Sequence, residues 1–140
     1  MDAKGTVMNS NYSAGAGPWA LPADPVTAAG VDHIRLVYDY LNAGDFDACA
    51  SLLHDDVEFE LPGRPTARGR TAVLHAHRTD AALTTRHEID RIVAHDHCVV
   101  AVGRIVGPGT EESCLRFIDC FGIADDAMVR SCTRYYHTTP

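Results

Sequence analysis

A carboxyl set in an apolar stretch is the first group in this chain that could move a proton. Asp119 stands among Phe117, Ile118, Cys120 and Phe121. A carboxyl so flanked is desolvated and its pKa is pushed upward, which suits it to donate or accept a proton near neutral pH. The same residue could instead hydrogen-bond a backbone group or a helix end and hold the structure. Eight histidines are the other candidates. His75 and His77 are two apart, so on a helix they do not share a face, and that stretch has no i, i+4 histidine pair with a nearby carboxylate; no metal site is expected. His95 and His97 sit at a turn, and His54 and His137 are expected in solvent. Tyr38 and Tyr40 cannot both face inward from one helix, and whichever does offers a phenol donor. Arg78 and Arg116 could bind a substrate carboxylate or enolate bidentately, or pair with surface acids. No Gly-x-Ser-x-Gly elbow and no Cys-x-x-Cys spacing occurs, so a serine or cysteine nucleophile is not supported.

These groups must be positioned by helices first and strands afterwards. Residues 1 to about 30 carry Gly15, Gly17, Pro18, Pro22 and Pro25 among small residues and are expected to form a flexible arm, with Trp19 its one large anchor. From Val31 the pattern is helical, with Ile34, Val37, Tyr38 and Leu41 at spacings of three and four, and Gly44 stops it. Asp45 is a plausible N-cap for a second helix bearing Phe46, Cys49, Leu52 and Leu53 and ending at Asp55 and Asp56. Val57 to Leu61 alternates as a strand, a loop follows, and Thr71 to about Ala82 is a third helix. Four long strands are expected after it: Thr85 to Ala94, Cys98 to Val106, Ser113 to Ile123 and Met128 to His137. The order indicates one α+β domain, from 31 to 140, whose helices pack on one face of a curved sheet and leave a pocket.

The balance of charges narrows the partners. A net charge of −7 with no basic stripe argues against nucleic acid, and the longest apolar runs are far too short to cross a bilayer. The N-terminus lacks a basic start followed by an apolar stretch, so a reducing cytoplasm is expected. The five cysteines then read as free, small, buried apolar residues.

Three stretches in order carry a resemblance: Tyr40 to Asp47 (YLNAGDFD), Leu53 to Gly63 (LHDDVEFELPG) and Arg68-Gly69-Arg70. Phe117 to Phe121 (FIDCF), Met128-Val129-Arg130 and Tyr135-Tyr136 complete it. From Val31 to His137 the chain resembles the SnoaL-like polyketide cyclases of the nuclear transport factor 2-like superfamily. The resemblance implies a cone with a closed apolar pocket between helices and concave sheet, commonly a homodimer built on the sheet's outer face, and acid–base catalysis without metal or organic cofactor. The substrate implied is a small apolar or aromatic molecule, polyketide-like or polycyclic, undergoing cyclisation or a related isomerisation or dehydration.

The resemblance also assigns residues. Asp119 falls where ketosteroid isomerases of the same cone hold a neutral carboxylic acid that donates to an enolate. His87 and His77 lie on elements that line the pocket and are candidate general bases, and His33 could reach the pocket mouth. Val37, Tyr38, Leu41, Leu61, Phe117 and Tyr135 are expected as walls, with Arg78 and Arg116 as substrate contacts. Two departures count against isomerisation by the known machinery: Leu61 stands where the proton-abstracting aspartate would be, and Val37 where the oxyanion tyrosine would be. The aspartate–arginine–aspartate set of limonene epoxide hydrolases is absent as well, since Val102, Arg104 and Arg134 occupy its positions. A non-catalytic, dimeric ligand-binding or accessory protein is the alternative on the same cone.

Overall fold

Asp24 begins the described structure by capping a helix. The computed structural model describes residues 24–80, 85–107 and 115–137. Helix α1 (Pro25–Ala43) opens six residues before the expected Val31, because the Asp24 carboxylate accepts from the backbone N–H groups of Val26 and Thr27, both at 3.0 Å, and Pro25 occupies the first helical position, where its missing N–H costs nothing. The anchor Trp19 lies outside the described residues. At the far end Gly44 adopts φ 72°, a left-handed cap that L side chains resist. One stripe of α1 (Ile34, Val37, Tyr38 and Leu41) is buried.

The second helix is shorter than its apolar spacing suggests. Helix α2 (Phe46–Ala50) stops because Leu53 is already in strand β1 (Leu53–Glu60), paired with Val129. The Val129 N–H also donates to the Leu52 carbonyl at 2.9 Å. Long-range pairing therefore takes Leu52 and Leu53 from the helix. A two-residue edge strand β2 (Ala67–Arg68) pairs with β1 and leads into α3 (Arg70–Thr79). Strands β3 (Arg86–His95), β4 (Cys98–Val106), β5 (Leu115–Ile123) and β6 (Val129–His137) follow as an antiparallel meander.

Together they form a six-stranded sheet in the order β2-β1-β6-β5-β4-β3, antiparallel except where β1 lies parallel to β6. The fold is an α+β cone of N-terminal helices on a curved sheet. Alternation decides the faces: Phe117, Asp119 and Phe121 of β5 are buried, while Arg116 and Ile118 are exposed. A bulge between Ile89 and Arg91 resets this parity in β3. Two contacts lock α1 to the sheet. Asn42 pairs with the His87 backbone like a strand, donating to its carbonyl (2.8 Å) and accepting from its N–H (2.7 Å). Gly30 lets α1 approach β5 so closely that an added Cβ would stand 2.8 Å from Ile123 Cγ1.

The cysteines divide. Cys49 and Cys132 are buried as expected, and burial pushes the Cys49 thiol up to about 12. Cys98 is exposed and Cys120 half-buried, because their strand positions point to the outer face. Cys114 lies outside the described residues.

Candidate active site

Strand parity brings three polar side chains from α1, β5 and β6 together inside the cone. Asp119 and Arg134 are direct partners in the β5–β6 register and both face inward. Arg134 Nε donates to Asp119 Oδ1 at 2.7 Å and Nη2 to Oδ2 at 2.8 Å, and the Tyr38 hydroxyl donates to Oδ2 at 2.6 Å. Asp119 and Arg134 are 1% and 4% exposed, so this is a buried ion pair. Burial, followed by the Asp119 charge, raises Tyr38 well above the ordinary phenol range and keeps it a neutral donor. Burial opposes the Arg134 charge too, but the hydrogen bonds and charge of Asp119 outweigh it, with Tyr136 adding a weaker contact, and its pKa is raised.

The geometry surrounds Asp119 with donors. Its apolar neighbours along the strand do desolvate it, but a bidentate guanidinium across the strand makes it a carboxylate that accepts three hydrogen bonds. Through these bonds it ties Tyr38 of α1 to Arg134 of β6. The guanidinium also stacks 4.3 Å from the Phe117 ring centre, which sets its plane.

Two buried histidines share one hydrogen-bond arrangement, Nδ1 to a backbone carbonyl. His77, 1% exposed, donates from Nδ1 to the Val73 carbonyl one turn earlier (2.7 Å), so in the neutral ring the lone pair is on Nε2. Burial lowers its pKa and favours that neutral form. His87, 3% exposed, donates from Nδ1 to the Thr85 carbonyl (3.1 Å). Burial first, then the Arg134 charge, lower it to about 4. Among the described residues, two buried side-chain nitrogens make no hydrogen bond: His87 Nε2 and Arg134 Nη1. An unpaired buried polar atom is costly, on the order of 1–3 kcal/mol.

Val37, Tyr38, Leu41, Leu61, His77 and Asp119 line one cavity, joined by Phe59, Phe121, Cys132 and Arg134. Phe117 lies buried beneath Arg134, and His87 sits behind the wall with its ring 5.7 Å from Tyr38 and 5.5 Å from Phe117. Four expected contacts lie elsewhere. Arg78 is on the outward side of α3, over the Phe46 ring and 3.6 Å from Asp47. Arg116 points outward from β5 toward Asp90 at 3.6 Å, because it has the opposite parity to Asp119. Tyr135 is 56% exposed on the outer face, and its neighbour Tyr136 turns inward. His33 bonds the Ala127 carbonyl (2.7 Å) at the β5–β6 turn, away from the cavity lining.

Arg134 is the member of this buried network that is absent from the candidates read from the sequence. Its signal was a lone arginine with the inward parity of Cys132 and Tyr136, legible only once β6 is registered against Asp119. The free volume of the cavity is about 10 Å³, the room of about one water molecule. Among the described residues no group of three or more His, Cys, Asp or Glu side chains is arranged to hold a metal, and no helix is long and apolar enough to cross a membrane.

Known proteins share this architecture. A ketosteroid isomerase candidate from Kribbella flavida superposes with a TM-score of 0.71 at 19% identity, over 81% of this chain and 82% of that one. A protein from Sphaerobacter thermophilus gives 0.67 at 22% identity, over 81% and 99% of the chains. SalBIII, an epoxide hydrolase/cyclase-like enzyme in pyran ring formation of the polyether salinomycin, gives 0.63 at 14% identity, over 78% and 91%. Likeness at these identities is likeness of fold. Among curated proteins, none matches the chain. The model of the SnoaL-like domain matches residues 25–131, from the first residue of α1 into β6, and the chain belongs to that family.

Proposed function

We propose that this protein is a cofactor-free acid–base enzyme of the polyketide cyclase-like kind, acting on an apolar carbonyl compound. The observation that carries the reading is a neutral His77, its Nδ1–H tied to Val73, lining the same cavity as the Tyr38–Asp119–Arg134 network. His77 Nε2 takes a proton from the carbon next to the carbonyl. The electron pair of that C–H bond passes into an enolate, whose oxygen accepts from the unpaired Arg134 Nη1–H. The enolate then attacks a second carbonyl carbon, closing a ring, and the alkoxide so formed takes the proton from the His77 imidazolium; alternatively the enolate takes that proton back at another carbon. Asp119 acts through Arg134 and Tyr38 as a positioning residue. His87 holds the wall behind Tyr38 and keeps a second lone pair in reserve.

Ligand pockets usually enclose about 300–1,000 Å³, so this reading requires the cavity to open for a polycyclic substrate. The small cavity is also the observation that favours the second reading, a non-catalytic accessory protein with a filled cone. Incubation with an aromatic β-diketone and a steroid-like enone in D₂O separates the two. Enzyme-dependent deuterium uptake at carbon, abolished in a folded His77→Asn variant that keeps the donor to Val73, supports the enzyme. Binding without exchange, or neither, supports the accessory protein. A homodimer would use the outer face around Ile118 and Tyr135, which are paired in the β5–β6 register and 41% and 56% exposed; light scattering reads its mass.

A further inference from the structure

The outer face of the sheet carries a second chemically competent feature that the site does not use. In the β4–β5 register Val100 stands opposite Cys120 and Cys98 opposite Gly122, so Cys98 and Cys120 are diagonal neighbours on the same face. Gly122 has no side chain, which leaves Cys98 without a direct cross-strand side chain on β5, and the Ser131 side chain of β6 lies over Gly122, its Oγ 2.5 Å from where a Cβ would stand. Cys98 is exposed at the tip of the β3–β4 hairpin, and Cys120 is half-buried. His95 lies directly across from Cys98 on β3, placing an imidazole beside the exposed thiol. We propose that Cys98 and Cys120 are a vicinal dithiol that hydroperoxides convert to an intramolecular cross-strand disulfide.

The chemistry balances with hydrogen peroxide as the oxidant. The exposed Cys98 thiolate attacks the O–O bond, giving a sulfenic acid and releasing the other oxygen as water after protonation. The Cys120 thiolate then attacks Cys98 Sγ, the S–S bond forms, and the sulfenic oxygen leaves as a second water. Burial, with the nearby Cys98 charge adding, raises Cys120, which fits the resolving role rather than the attacking one. Diagonal partners stand about 7–8 Å apart with their Cβ atoms closer, against roughly 4.4–6.8 Å between the Cα atoms of a bridged pair. Closure thus needs a local shear of about an ångström between β4 and β5. Cys120 follows Asp119 in the chain, so the shear falls on the strand that holds the ion pair.

Trypsin makes the test clean, because Arg91, Arg104, Arg116 and Arg130 place Cys98, Cys114 and Cys120 on three separate peptides. The native full-length protein is treated with hydrogen peroxide, free thiols are blocked with iodoacetamide, and the unreduced digest is analysed by mass spectrometry. The proposal expects a Cys98–Cys120 linked peptide pair, reversed by dithiothreitol and lost in both Cys98→Ser and Cys120→Ser. Circular dichroism confirms that the variants fold, and Cys→Ala versions replace any that do not. Cys98 oxidised to sulfinic acid with Cys120 still alkylated, a Cys98–Cys98 link between chains, or a link through Cys114 overturns it.

Discussion

Replacing Asp119 by asparagine keeps the shape of the side chain and removes one charge, and the structure dictates a large loss of stability. The carboxylate accepts three hydrogen bonds, two of them from a guanidinium that is 4% exposed. Breaking one half of a buried ion pair leaves the other charge uncompensated and costs about 3–5 kcal/mol. At roughly 4 °C per kcal/mol for a domain of this size, the melting temperature should fall by about 12–20 °C. Urea denaturation at neutral pH and a thermal scan by circular dichroism measure both. Asp119→Asn combined with Arg134→Gln restores a neutral, hydrogen-bonded pair and should recover at least half of the loss. A single-variant cost below about 1 kcal/mol, the value of an exposed pair, would refute the buried network. The magnitude also bears on function, since lost turnover in Asp119→Asn speaks to proton transfer only where the variant is shown to be folded.

Three further perturbations test other parts of the account. His87 has a folded pKa of about 4, below the unfolded value of about 6.5, so the unfolded chain binds the extra proton first. Its contribution is fully present above about pH 6.5 and is lost as the pH falls toward 4, a change of about 3 kcal/mol that urea titrations should show flattened in His87→Leu. Asn42→Ala strands the His87 N–H and carbonyl that the amide now satisfies, at a cost of about 1–3 kcal/mol. Hydrogen exchange at the His87 amide should accelerate, and unchanged protection would contradict the clamp. At Gly103 an added Cβ would lie 2.3 Å from the Glu88 carbonyl oxygen and 3.1 Å from Phe117 Cζ. Gly103→Ala should therefore lower stability by about 1–3 kcal/mol, and an unchanged melting curve would show that the Glu88 backbone does not approach Gly103 so closely.

Local pattern carried the elements further than it carried the site. The strand Cys98 to Val106 is the observed β4 residue for residue, because a valine-rich apolar run is bounded by the turn signals His95-Asp96 and Gly107-Pro108-Gly109. The start of α1 is hidden by Pro25, which reads as a loop residue although Asp-Pro is also how a helix begins. Leu53 kept the helical spacing of its neighbours yet pairs with Val129, a contact no local window contains. Within the site, Asp119 was legible from its apolar neighbours, and the wall residues of α1 from their period. Its partner Arg134 was not, since the pairing depends on a register set by the β5–β6 turn. The outward fate of Arg116 follows from parity alone: on an unbulged strand it cannot share a face with Asp119.

The most direct test of the account is the ionisation and tautomer of His77, read from the ¹⁵N chemical shifts of its imidazole across pH. The account predicts a neutral ring at pH 7, protonated at Nδ1 and with the lone pair on Nε2, titrating below the ordinary histidine range because the ring is buried. An imidazolium at pH 7, or a proton resident on Nε2, would contradict it and remove the base from the proposed reaction.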